Sequence, residues 1–121
     1  MKKDIMIDGI KYVPEGSEAT LPAESLDGKK YVIIRTYSAG VFAGYLEKKE
    51  GQNAVILHAR RLWSWKGAAT LSQLSQEGVL FPDECKFPQE VPMIELDQVI
   101  EVLSCTEKAR LSINSVPIWK V

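Results

Sequence analysis

A chain of 121 residues fits one domain able to bury roughly two-thirds of the surface its unfolded form exposes. Fifteen Lys and Arg against sixteen Asp and Glu leave a formal charge of -1, which excludes a binder of nucleic acid that relies on an overall basic excess. With 45% hydrophobic and 26% charged residues, the composition is too apolar for a disordered chain and too balanced for a fibrous one.

The apolar runs, such as Val32-Ile33-Ile34, fall far short of the roughly 20 residues that span a bilayer, and Met1-Lys2-Lys3-Asp4 leads into no signal-peptide core. A soluble, intracellular protein is expected, with no membrane partner. Cys85 and Cys105 are expected as free thiols, because a chain with a sizeable core and no export signal does not need a disulfide.

In chain order, residues Asp4 to Val13 alternate apolar and polar around Asp8-Gly9, a dipeptide suited to the positive φ of a tight turn, which predicts a short hairpin. From Pro14 to Lys30 there is no clear period, and a surface loop with little function is expected. Tyr31 to Ser38 and Val41 to Glu47 are β-branched and aromatic, separated by Ala39-Gly40; Lys48 to Asn53 reads as a turn, and Ala54 to Trp65 as a third extended stretch. Such a meander must curl or be covered to bury its apolar face.

Thr70-Leu71-Ser72-Gln73 has capping-box spacing and Gly78 supplies a left-handed stop, which predicts a two-turn helix. Phe81-Pro82, Phe87-Pro88 and Val91-Pro92 punctuate a loop. Met93 to Leu103 suits a strand interrupted near Asp97-Gln98, with helix as the alternative. Ser104-Cys105-Thr106-Glu107 repeats the capping-box spacing before a second helix that Pro117 halts, and Ile118 to Val121 forms a last extended piece. The expected class is α+β: one domain over 1–121, a small antiparallel meander curled into a barrel-like sheet, SH3-like or Sm-like in kind, with two short helices.

Between Glu50 and Glu77 there is no acidic residue, while His58, Arg60, Arg61 and Lys66 fall inside that window. In an extended strand Arg61, Trp63 and Trp65 share one face and Arg60, Leu62 and Ser64 the other. A guanidinium beside two indoles holds a phosphate by paired hydrogen bonds and a base by stacking. The competing reading makes both tryptophans core residues with Arg61 stacked at the edge. Arg35, Tyr37 and Ser38, ahead of the flexible Ala39-Gly40, form a second polar cluster where freed amides receive an anion; an ordinary turn is the plainer account. His58 is the only histidine and the only candidate general base, beside cationic neighbours. Two cysteines and one histidine without Cys-x-x-Cys spacing predict no metal site. The carboxylates Asp83, Glu84, Glu90, Glu95, Asp97, Glu101 and Glu107 gather in the last third, a solvated acidic face whose sign complements the basic window in a homo-oligomer.

The runs Arg35-Thr36-Tyr37-Ser38-Ala39-Gly40-Val41-Phe42-Ala43-Gly44 and Ala59-Arg60-Arg61-Leu62-Trp63-Ser64-Trp65-Lys66-Gly67-Ala68, with Cys85-Lys86-Phe87-Pro88, Cys105-Thr106-Glu107-Lys108-Ala109 and Ile118-Trp119-Lys120, resemble a family of small uncharacterised proteins of tailed bacteriophages. The resemblance covers roughly residues 31 to 121 and leaves 1 to 30 as an elaboration. It implies a product acting in the cytoplasm of an infected bacterium, where small phage proteins often inhibit host defence without catalysis. The leading expectation is a non-enzymatic protein that sequesters a nucleotide-derived immune signal, with no cofactor, through Arg35, Tyr37, Ser38, Arg60, Arg61, Trp63, Trp65 and Lys66. The alternatives are a binder of single-stranded nucleic acid or nucleoprotein, and an inhibitor that binds a host defence protein directly.

Overall fold

The computed structural model describes residues 5–7, 10–12, 22–25 and 28–121. Strand β1 (Ile5–Ile7) pairs antiparallel with β2 (Ile10–Tyr12), with Ile7 opposite Ile10, as the alternating pattern predicts; the turn expected at Asp8-Gly9 lies outside the described residues. Most of the loop expected over 14–30 also lies outside them. Where it is described, it is sheet: β3 (Glu24–Ser25) pairs with Lys29 and Lys30, and Ala23 is buried with its N–H on the Cys105 carbonyl at 2.9 Å. A small apolar side chain between two backbone partners is worth more there than on a surface loop.

The main sheet comprises β4 (Lys29–Thr36), β5 (Val41–Glu50), β6 (Asn53–Arg61), β7 (Val91–Leu96) and β8 (Val99–Ser104), antiparallel in the order β8-β4-β5-β6-β7. With α1 (Leu71–Glu77) and α2 (Glu107–Ser115), the class is α+β. The two edge strands β7 and β8 are joined by Asp97 and Gln98 alone, so the sheet must curl until its edges meet at that connection. Among the described residues no ladder joins β7 to β8, and the sheet stays open along this seam rather than closing into a barrel. The bending is built in by bulges. Between Ala43↔Arg60 and Tyr45↔Leu57 the β6 side carries one residue more than β5, and His58 absorbs it at φ 50°. Gly44 faces this bulge, where a Cβ would lie 2.9 Å from the Leu57 carbonyl oxygen.

Both faces of the sheet are covered, which is why β4 reads as an uninterrupted apolar run rather than an alternation. Tyr31 and Ile33 join Ala43, Leu62, Leu74, Phe87, Ala109 and Ile113 beneath the helices. Val32 and Ile34 join Phe42, Ile56, Leu96 and Val99 inside the curl of the sheet. Each such side chain contributes about 1.5–3 kcal/mol on burial.

The first helix follows its caps: the Thr70 hydroxyl accepts from the Gln73 N–H at 3.1 Å, and Gly78 ends the helix at φ 78°. The second begins two residues later than the Ser104 spacing predicts. Thr106 is its N-cap, accepting from Ala109 N–H at 3.1 Å, because Cys105 still belongs to the sheet, its N–H bonded to the Tyr31 carbonyl at 3.0 Å. Cys85 and Cys105 are both buried free thiols. Among the described residues no helix is long and apolar enough to cross a membrane.

Candidate functional site

Strand β6 ends in two arginines whose side chains leave on opposite faces, as alternation requires. Arg60 turns inward and is 5% exposed. Its Nε donates to the Pro88 carbonyl at 2.9 Å, Nη1 to Ile113 at 2.9 Å, and Nη2 to Phe87 at 3.1 Å, Val116 at 2.7 Å and Pro117 at 3.1 Å. Ile113 lies in the last turn of α2 and Val116 is its C-cap; the Ile113 carbonyl accepts from the Val116 N–H at 3.2 Å as well as from Arg60, and the helix dipole there favours a cation. Burial holds the Arg60 pKa below its ordinary value, since the charge is removed from water. Expected from sequence as a ligand contact, Arg60 instead caps α2 from within the core, each of its three guanidinium nitrogens donating to backbone.

Arg61 emerges at the rim of the other core. Its guanidinium lies 4.4 Å from the centre of the Phe42 ring, and Nη1 donates to the Ala39 carbonyl at 2.6 Å. This draws Arg61 to the β4–β5 turn and beside Tyr37, which is 76% exposed, and Ser38. The turn is internally satisfied: Thr36 Oγ1 accepts from Ala39 N–H at 2.9 Å and donates to Gly40 O at 2.9 Å, while Tyr37 N–H reaches Gln98 O at 2.9 Å. Of the amides expected there as an anion receptor, those of Tyr37 and Ala39 are thus occupied by protein acceptors within an ordered turn. Ser38 Oγ donates to the Gln98 side chain at 3.1 Å, and Arg35 pairs with Glu101 at 2.9 Å in the open.

Beyond Arg61 the ladder changes partner. Leu62 N–H still reaches Val41 O at 2.8 Å, but Trp63 N–H turns to Lys86 O at 3.1 Å, and Ser64 bridges Lys86 antiparallel. Phe87 in turn bridges Ile118 in parallel and accepts from Trp119 N–H at 3.0 Å. Three short segments thus lie side by side outside the main sheet. Trp63, 63% exposed, and Trp119, 44% exposed, stack with ring centres 6.4 Å apart and planes 11° from parallel, and Lys86 Nζ lies 5.5 Å from the Trp119 ring centre. The expected face of Arg61, Trp63 and Trp65 does not persist: Trp65 packs against the helix-covered core while Trp63 is exposed, because the strand ends before either residue. Lys66 is exposed and its N–H reaches the Cys85 thiol at 3.4 Å. Of the expected contacts, Arg35, Tyr37, Ser38 and Arg61 lie around the β4–β5 turn, but Arg35 shares the face of Val41 and Arg61 that of Phe42, so the two guanidiniums leave on opposite sides of the sheet, and Trp63 stands on the aromatic strip. Lys86 and Trp119 are the members that strand alternation missed, because each reaches Trp63 from a separate segment.

His58, at the bulge, is half exposed and its Nδ1 lies 3.0 Å from Glu90 Oε2. A cleft of about 260 Å³ opens elsewhere, along Lys48, Glu50, Asn53, Glu95 and Asp97. A smaller one of about 170 Å³ is lined by Arg60, Glu90, Asn114, Val116 and Ile118.

Residues 29–113 match a protein family described as a domain of unknown function (DUF6948). No curated protein and no solved structure matches the chain.

Proposed function

The chain belongs to the DUF6948 family, whose matched segment takes in Arg35 through Lys86 and stops before Trp119, and we propose that it is a non-enzymatic binding protein that sequesters a nucleotide-derived signal. The observation that carries this reading is the exposed Trp63–Trp119 stack with Lys86 over its edge. Two indoles held parallel at the surface forgo burial, and a third π-face added to such a stack contributes about 1–3 kcal/mol per base. Lys86 beside Trp119 supplies positive charge for phosphate. Sequestration needs affinity and no reaction. A small ligand also needs enclosure, which a second copy of the chain laid over the strip would provide, in keeping with a homo-oligomer. The resemblance to bacteriophage proteins supports counter-defence in the cytoplasm of an infected host as the setting of this activity.

Native mass spectrometry tests the reading on protein recovered from cells with active nucleotide-signalling defences and from cells lacking them. A small mass gained only in the first, and lost in Trp63→Ala, is the expected result; unliganded protein in both overturns it. The openness of the strip favours a second reading, a single-stranded nucleic-acid binder, since an exposed platform accepts successive bases of a strand. Affinity for oligodeoxythymidine that weakens steeply with salt supports that alternative, and salt-insensitive capture of a host protein would support neither.

A further inference from the structure

Arg60 is a buried cation whose hydrogen-bond partners are all backbone carbonyls. Those carbonyls come from two places: the 87–88 turn, and the end of α2 with the tail that follows it. Each of these segments bears a member of the aromatic strip. Lys86 directly precedes Phe87, and Trp119 lies two residues beyond Pro117. The link to Trp119 is tighter still, because Phe87 O accepts from both Arg60 Nη2 at 3.1 Å and Trp119 N–H at 3.0 Å. Arg60 itself is three residues from Trp63 on the same segment.

We infer that Arg60 is the positioning residue of the strip, its guanidinium fixing the Lys86 turn and the Trp119 tail against the segment that carries Trp63. An arginine suits this task because its planar fork presents five donors in fixed directions; a lysine at the same place has three, from one point. The tail has few other anchors. Residues 117–121 are exposed, and beyond Arg60 their backbone is tied by the bridge of Ile118 to Phe87, which the Trp119 N–H bond makes. Released from Arg60, the tail loses its fixed distance from Trp63, and the indole stack goes with it. The rival account is that Trp119 is held by its stacking on Trp63 alone.

This inference gives a mechanism to the binding site proposed above, yet its test needs no ligand. Excitonic coupling between the two indoles is read in circular dichroism as the couplet that separates the wild-type spectrum from that of Trp63→Phe. Arg60→Lys and Arg60→Met are expected to lose most of the couplet at temperatures where the sheet signal persists, with Lys recovering only part. A full couplet in either folded variant overturns the inference. Should both variants unfold, hydrogen exchange on the wild-type chain decides: Arg60 Nε–H and Trp119 N–H are expected to share one protection factor, as groups released by a common opening. A Trp119 amide protected about tenfold less than Arg60 Nε–H overturns it. Titration of the wild type with AMP and with oligodeoxythymidine is separate: failure to bind either weakens the functional reading and leaves the positioning role intact.

Discussion

The helix-covered face of the sheet and the open rim of the β4–β5 turn each receive one of two adjacent arginines, and the same side chain behaves differently in each. Under the helices Arg60 is buried and bonded to five carbonyls, and its loss leaves those of Pro88, Val116 and Pro117 without a protein donor, while Phe87 and Ile113 keep one each. At the rim Arg61 keeps water, one short hydrogen bond to Ala39 O and a face-on contact with Phe42. Burial, rather than residue type, sets what a charge contributes, because an unpaired group costs most where water cannot replace its partner.

The sharpest test of this contrast is Arg60→Met against Arg61→Met in urea denaturation. The first is expected to cost about 3–5 kcal/mol, the second less than about 1 kcal/mol. Equal losses would mean that Arg60 is not the cap described here. The bulge that aims the two arginines is probed by Gly44→Ala, whose methyl would meet the Leu57 carbonyl; about 1–3 kcal/mol of destabilisation is expected in the same assay. An unchanged midpoint would show that the strands yield freely at this point.

The helix-covered face also leaves a pH signature. Burial pushes the Cys105 thiol from 9.0 up to about 12, so the folded state holds its proton after the unfolded chain has released it. Stability from this group is complete below pH 9.0 and falls as pH rises toward about 12, by at most about 1.4 kcal/mol per pH unit. Tyr31, raised chiefly by burial, adds to the fall above its ordinary 10.0. Urea midpoints on either side of that threshold should decline in the wild type and decline less in Cys105→Ala; a flat wild-type profile contradicts the assignment. The smallest effect belongs to the open side, where a double-mutant cycle on Arg35 and Glu101 is expected to give a coupling of about 0.2–1 kcal/mol that salt removes.

Much of the fold is legible one residue at a time. The four consecutive buried residues Tyr31 to Ile34 announce a strand covered on both faces. Thr70 and Gly78 bracket α1, and Asp97-Gln98 breaks a long apolar stretch into β7 and β8, with Gln98 at φ 57° in the turn. The Ser104 spacing misleads by two residues because a second helix-starting hydroxyl, Thr106, lies in the same stretch, and only the pairing of Cys105 with Tyr31 selects it. The candidate site is less legible. Alternation separates Arg60 from Arg61 but does not say which face the helices cover, and it fails beyond Arg61 because Trp63 has exchanged a sheet neighbour for Lys86.

By itself, then, the sequence determined what is local: strand periods, caps, turns, the α+β class and the concentration of arginine and tryptophan at and just beyond the end of β6. Periodicity and capping act between residues a few positions apart, so they are written in short stretches of chain. The tertiary structure alone decided that Arg60 is a core cap and that Trp63 meets Trp119 beside Lys86. Those outcomes rest on contacts between segments far apart in the chain, and on which apolar face the helices came to cover.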